Sequence, residues 1–554
     1  MRAAALALVV GLLSAPAGGA DGPQGGAGGP HAGGAGGPHA GGAGGPQSAA
    51  DPSDAFFKKG EIPRLKLELA PEDVQKLRTN AREYVHCRVR ENDKTVYEGV
   101  SIKLKGSAGS FREIDDQPAF TLRLDKDDDD ARFHGLAKFH LNNSVQDDTW
   151  LREWIGSELF RAAGVATPRV THARVWLNER DLGLYVLKEG FDKLLVKRFF
   201  KESAGNLYDG GFCQDLDADL KKECGKGPDD RSDLKALREA CLEPDLKKRW
   251  ARLDELVDGK AFLTFVAMEL MLGHWDGYSQ NHNNYRVYFE PKSGKAVFLA
   301  HGMDQVLGDP NASILDAPTA LVAASLMKNP EWRAAWRKRV GELLPLFDAV
   351  KLGKKIDEVG HRVANVLAAS DREAAHAYEG RVRDLKNLVE QRERSLREQR
   401  TQPDPKPLVF SKDVPVRIEG WHPMSESEDA QVGEEKANGE RRYFVACGAS
   451  GQCVAGFRRA VLLAKGRYRL AGALKVKEVA ALAEEDAPGA GAGLRISGGK
   501  REGGLDGTAT WKTVQYEFEV VEEQRDVELV VELRASKGRL EVKPESLKLT
   551  RLGT

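Results

Sequence analysis

One stretch, His274 to Gly308 (HWDGYSQNHNNYRVYFEPKSGKAVFLAHGMDQVLG), limits what this chain can be more than any other. Asp276 stands two residues after His274, and Asn281 follows Asp276 by five. Two strand patterns come next, RVYFE and KAVFLA, joined by the turn Pro291-Lys292-Ser293-Gly294. The second strand runs straight into Gly302-Met303-Asp304. A carboxylate at the end of the apolar run AVFLA is a poor core residue unless it has a partner or a task. Asn281, His282, Asn283 and Asn284 crowd polar groups among aromatic residues where a plain core would be apolar.

This order matches the catalytic core of protein kinases. There an Asp acts as base, an Asn five residues on holds a metal, and a later Asp after a strand holds magnesium. Phosphoryl transfer needs a carboxylate near the acceptor hydroxyl and oxygen ligands for a hard cation. The plainer alternative is that Asp276 caps a turn and the Asn residues satisfy loop backbone.

The 554 residues call for two domains or more. A net charge of −1 gives no basic bias, so nucleic acid is not an expected partner. Beyond the N-terminus no apolar run reaches the roughly 18 residues of a membrane span. Residues 1–20 read as a signal peptide: Arg2, the apolar run Ala3 to Leu13, then Ala15-Pro16-Ala17 or Ala20 for cleavage. The mature protein is therefore expected outside the cytoplasm, extracellular or periplasmic. Residues 21–54 include a GGAGGPHA repeat and read as a flexible tether, with His31 and His39 as spacers rather than metal ligands. Six cysteines (Cys87, Cys213, Cys224, Cys241, Cys447, Cys453) permit disulfides in such a compartment. Cys447 and Cys453, closing a short loop, are the expected pair; one pair among Cys213, Cys224 and Cys241 is a further option, and no C-x-x-C favours zinc.

Residues 55–400 alternate strands and helices. RLKLELA, HCRVREN, VSIKLKG, AFTLRLD and AKFHLNNS are strands; Thr149 to Gly164 is a helix; THARVWL and GLYVLKEG are two more strands. The Gly/Ser turn Gly106 to Phe111 between strands is the kind that covers phosphates with backbone N–H groups, with Gly106, Ser107 and Ser110 as candidates. Asp125 to Asp130 (DKDDDD) lacks the Gly and Glu of an EF-hand and reads as a solvated loop. A kinase-like reading gives the phosphate-binding lysine to Lys138, steadied by Glu153 or Glu158, with Lys105 and Arg123 as competing cations. Residues 214–258 are a charged, mostly helical insertion, Ala261 to Leu272 is an apolar helix, and helices follow over 317–327, 330–346, 350–369 and 371–399. The last, rich in Arg and Glu, is expected along the surface. After a Pro-rich linker, 401–407, residues 408–554 read as an antiparallel β-sandwich. Trp421, Tyr468 and Trp511 could stack on a glycan there, though core packing is the commoner use.

LKGSAGS, QPAFTLRL, LNNSVQDDTWLREWIGSELFRAAGVATPRV, LGLYVLKEGFDKLLVKRF, GNLYDG, WDGYSQNHNNYRVYF and MDQVLG, in that order, resemble the spore-coat protein H (CotH) family of secreted atypical kinases. The resemblance implies an α+β, two-lobed kinase-like fold using ATP with Mg2+ or Mn2+, and Ser-containing protein substrates (Ser or Thr as acceptor). It implies Asp276 as base, Asn281 and Asp304 as metal ligands, and Glu189 near the adenine. Two positions depart from the family: Gln117 replaces a basic residue, and Gly302 replaces the first Asp of a W-D-x-D block. A non-catalytic surface or carbohydrate-binding protein that kept the kinase shape is the alternative function.

Overall fold

The computed structural model describes residues 51–553, except 108, 317, 404–405, 412–413, 428, 438, 452, 483–490 and 502–503. The leader and nearly all of the Gly-rich tether lie outside the described residues. Two compact units divide between Pro403 and Asp404, inside the Pro-rich linker.

The first unit begins with helix α1 (Pro52–Lys59), capped by Asp51. Strands β1 (Arg64–Glu68), β2 (Val85–Glu91), β3 (Thr95–Lys105), β4 (Ala119–Arg123), β5 (Lys138–Asn142), β6 (Val170–Leu177) and β7 (Arg180–Glu189) follow, with α2 (Pro71–Thr79) after β1 and α3 (Arg152–Ala162) after β5. They close a barrel in the order β1-β2-β3-β4-β5-β7-β6. The parallel β1–β6 ladder, with Leu65 opposite Val175, shuts it.

Alternation decides which side chains fill the barrel. Ile102, Leu104, Phe120, Leu122, Phe139, Leu141 and Leu187 form one buried cluster. The intervening residues fall on the opposite face, and pairing lines them up: Lys103 opposite Thr121, Thr121 opposite His140, His140 opposite Lys188. The next row sets Ser101 against Arg123 and Arg123 against Lys138. One sheet face is thus apolar and the other strongly cationic.

The rest of this unit carries α4 (Lys193–Phe199) and a four-stranded sheet. Its strands are β8 (Leu207–Asp209), β9 (Lys221–Cys224), β10 (Tyr285–Phe289) and β11 (Ala296–Ala300), ordered β11-β10-β8-β9. Around it lie α5 (Ser232–Leu242), α6 (Leu246–Leu256), α7 (Gly259–Leu272), α8 (Tyr278–Asn281), α9 (Leu321–Met327), α10 (Pro330–Leu343), α11 (Ala349–Ala368) and α12 (Arg372–Thr401). Among the described residues no helix is long and apolar enough to cross a membrane.

Asp51, Ser53 and Asp54 hydrogen-bond the buried Arg169, so these residues pack on the first unit. Two expectations change here. Helix α12 is no surface helix: Tyr378, Leu385, Val389 and Leu396 are buried along it, and so is Arg392. Cys447 and Cys453 are separate thiols, as are the other four cysteines. Cys453 opens a strand opposite Ala535, and the Cys447 thiol donates to the carbonyl of Ala535 at 3.7 Å.

The second unit is an eight-stranded sheet. Two long stretches, Cys453–Ala481 and Gly507–Val542, dominate it where the sequence pattern implied several short strands. Their register numbers run in opposite senses: Cys453 faces Ala535, Ala464 faces Gln524 and Ala473 faces Thr513. Trp421 and Tyr468 are core residues. Trp511 is half-buried, with Arg442 and Lys543 over its ring.

Candidate functional site

Helix α7 is buried along most of its length and ends at Gly273. Arg392 of α12 fixes that end. Its Nε donates to the carbonyl of Met271 at 2.8 Å, its Nη2 to Leu270 at 2.7 Å, and its Nη1 to Ala312 at 2.6 Å and Pro310 at 3.1 Å. The Leu270 carbonyl also accepts from the Gly273 N–H and the Ala312 carbonyl from Gln399 Nε2, both at 3.1 Å, so Arg392 adds to the capping of this end. Burial pushes the Arg392 pKa down to about 10.

The chain then turns through His274, Trp275 and Asp276 into α8. Glu269, one turn before the end of α7, caps α8 by accepting from the N–H groups of Tyr278 at 2.9 Å and Ser279 at 2.8 Å, and from the Ser279 hydroxyl. Burial raises the Glu269 carboxyl to about 7. His274 donates from Nε2 to the carbonyl of His301 at 3.0 Å, tying this turn to the loop after β11.

The Asp276 carboxylate is surrounded by amides. Asn281 donates to Oδ1 at 2.6 Å, Asn284 to Oδ2 at 2.7 Å, and Asn283 to both oxygens at 3.1 and 3.2 Å. Asn284 also donates to the Asp276 carbonyl at 2.9 Å. The structure therefore brings Asp276 and Asn281 together, and adds two neighbours that spacing alone did not single out. Asn284 also explains Gly302. A Cβ at residue 302 would stand 2.1 Å from Asn284 Oδ1, and the φ there is +64°. A side chain there would have to displace the Asn284 amide and take up a backbone conformation that favours glycine.

A second cluster forms where α3 meets the cationic sheet face. Glu153 is buried and accepts from Lys188 Nζ at 3.0 Å through one oxygen, and from the Met303 N–H at 2.8 Å through the other. Burial opposes the Glu153 charge, but the Lys188 ammonium outweighs it and holds the pKa below the usual value. Gly156, one turn on, lets α3 approach: a Cβ there would lie 2.6 Å from Met303 Sδ. Asp304 has no hydrogen-bond or ion-pair partner among the described residues. Burial, and then the Glu153 charge, push its pKa up to about 6. Lys105 donates to Asn142 Oδ1 at 2.5 Å, and burial with the nearby Lys188 lowers it to about 7. His140, between these lysines, is held well below its usual range by burial and by Lys105.

Other expected residues sit elsewhere. Glu153 does steady a strand lysine, but that lysine is Lys188 and not Lys138. Lys138 instead donates to the carbonyl of Phe191 at 3.2 Å. Glu158 pairs with Arg161, and Arg123 with Asp125 at 2.9 Å. Glu189 is buried and held by Arg169 and Arg198. In the Gly/Ser turn, the Ser107 N–H donates to Ser110 Oγ at 3.2 Å, and the N–H groups of Ser110 and Phe111 donate to Ser107 O. Gly106 O accepts from Arg82 at 2.5 Å. Those three amides are thus used within the turn. Gln117 reaches the carbonyl of Leu182 at 3.5 Å. Parity along β7 was the available signal for Lys188: Tyr185 and Leu187 point to the core, so Lys188 points away from it. A groove of about 490 Å3 opens beside the loop, lined by His274, Trp275, Gln280, Asn281, Asp309 and Asp316 among others; Trp275 is 53% exposed.

Residues 102–396, more than half of the chain, match the family described as CotH kinase protein, and the chain belongs to that family. Among curated proteins of Rhizopus delemar it is similar to "Spore coat protein homolog 1", at 23% identity over 31% of this chain and 30% of that one. It is also similar to "Invasin CotH3", at 23% identity over 39% and 42%. The chain thus spans about a third to two-fifths of these relatives. Among solved structures, the Helicobacter pylori proinflammatory kinase CtkA aligns over 49% of this chain and 91% of its own, at 10% identity and a TM-score of 0.26.

Proposed function

We propose that the first unit is a two-lobed, kinase-like phosphotransferase. It would move the γ-phosphoryl group of ATP to a Ser or Thr hydroxyl of a protein outside the cytoplasm, and the 404–554 unit would be an accessory β-sandwich. The observation that carries this reading is Glu153. One buried carboxylate holds both the cation Lys188 and the backbone of the Asp304 loop, which supports giving these two groups a joint task.

Each residue then has a task. Lys188 and Lys105 bind phosphate oxygens as point charges. Asp304, an unpartnered carboxylate, and the carbonyl oxygen of Asn281 fit a hard cation such as Mg2+ or Mn2+, which takes one or two protein oxygens and completes its shell with phosphates and water. When bound, that cation neutralises charge developing on the phosphates. The Asn281, Asn283 and Asn284 amides orient the Asp276 carboxylate, which positions the acceptor hydroxyl and takes its proton. The groove beside Trp275, whose lining includes Asn281, would take the acceptor chain.

Calorimetric titration with ATP and Mn2+ tests the nucleotide half of this reading. The wild type should bind, and Lys188→Ala should lose at least about tenfold in affinity, or about 1.4 kcal/mol. A wild-type protein that binds no nucleotide contradicts it.

A further inference from the structure

Strand β9 places Glu223 between the barrel and strand β10. Its Oε2 lies 3.7 Å from Lys138 Nζ on the barrel, and its Oε1 lies 3.7 Å from Arg286 Nη2 on β10. Lys138 stands two residues before His140, which pairs with Lys188. Arg286 donates to His301 Nε2 at 2.7 Å, next to the Asp304 loop. Glu223 therefore meets the cationic face at the Lys138 position, which is two residues, or about 7 Å of strand, from the Lys188 row. That separation is comparable to the distance from a nucleotide's sugar to its inner phosphates.

The Glu223 side chain is only 13% exposed. Burial works against its charge, but Arg286, Lys138, Lys221 and Lys103 outweigh burial and keep it ionised. Even so, Oε2 is buried and accepts no hydrogen bond among the described residues. Both ion pairs are longer than hydrogen bonds. A buried ionised acceptor without a donor is costly, and its chemistry selects its ligand. A phosphate would be repelled. Two vicinal hydroxyls match it, because a carboxylate's two oxygens accept from a cis-diol as acidic residues do from ribose.

We propose that Glu223 is the specificity-determining residue for the sugar, accepting hydrogen bonds from the 2′- and 3′-hydroxyls of a ribonucleotide; this rests on the nucleotide reading above. Binding of ATP, 2′-deoxy-ATP and 3′-deoxy-ATP to the full chain with Mn2+ tests it. Wild type should prefer ATP over each deoxynucleotide by roughly ten- to a hundred-fold. Glu223→Gln, isosteric and checked for unchanged melting, should bind all three within about threefold of one another. Equal wild-type binding of the three, discrimination that survives in Glu223→Gln, or tighter ATP binding by that variant would each overturn the sugar assignment alone. Wild type that binds none of them would overturn the nucleotide reading, and this inference with it.

Discussion

Asn284 settles how Gly302 should be understood. It makes two hydrogen bonds to Asp276 and occupies the space where a residue-302 side chain would begin. Restoring the family's acid should therefore harm the protein. Gly302→Asp is expected to lower phosphate transfer at least about tenfold by displacing Asn284 from Asp276, with a further cost of about 1 kcal/mol from the left-handed backbone. Asn284→Gly in the same chain should not restore transfer, because it removes the same two hydrogen bonds to Asp276; the two losses should be less than additive, and the comparison of single and double variants measures that coupling. Higher turnover in Gly302→Asp would contradict this. Asp304 carries the opposite signature, a functional group that costs stability. Its folded pKa of about 6 lies above that of the unfolded chain. Ionising it thus destabilises the fold, and stability falls as pH rises from about 4 to 6 and stays low above that. Asp304→Asn should raise stability at pH 7.5 by about 1–2 kcal/mol, with little gain at pH 4, as read by urea denaturation at both pH values. At this scale the meeting of Asp276 and Asn281 could be read from their spacing, whereas Glu153 was left open against Glu158 and given Lys138 in place of Lys188. Lys188 was hidden beside the more conspicuous Glu189, and Glu269 and Arg392 by helices that read as ordinary.

Among elements, the barrel strands could be read from strict alternation, and the same alternation gave the cationic face once register was known. Register itself was not legible, since Thr121 and His140 reveal their row only when β4 and β5 pair. Helix α12 was misjudged because Arg392 sits where its apolar stripe would continue between Val389 and Leu396. A charge in a stripe looks like surface unless its acceptors are known, and here they are the carbonyls at the end of α7. Arg392→Met should therefore cost about 2–4 kcal/mol in denaturant unfolding, since it strips donors from buried carbonyls. Arg397→Met, which loses only an exposed pair with Glu393, should cost under about 0.5 kcal/mol. Similar losses in both would refute the clamp. In the second unit, the long ladders were not legible because Gly466 and Gly538 look like turns but lie within continuous strand.

For the whole molecule, the division at Pro403 was visible in composition, and the family match falls wholly within the first unit. If the first unit transfers phosphate as proposed, Asp276 acts on the acceptor and Asp304 on the bound nucleotide's cation. The most direct measurement pairs nucleotide affinity with transfer of labelled phosphate for wild type, Asp276→Ala and Asp304→Ala. Asp276→Ala should keep ATP affinity within about threefold while transfer falls at least about a hundredfold, because the base acts mainly in the transition state. Asp304→Ala should lose both metal-dependent binding and transfer. Wild-type transfer by Asp276→Ala would contradict the account.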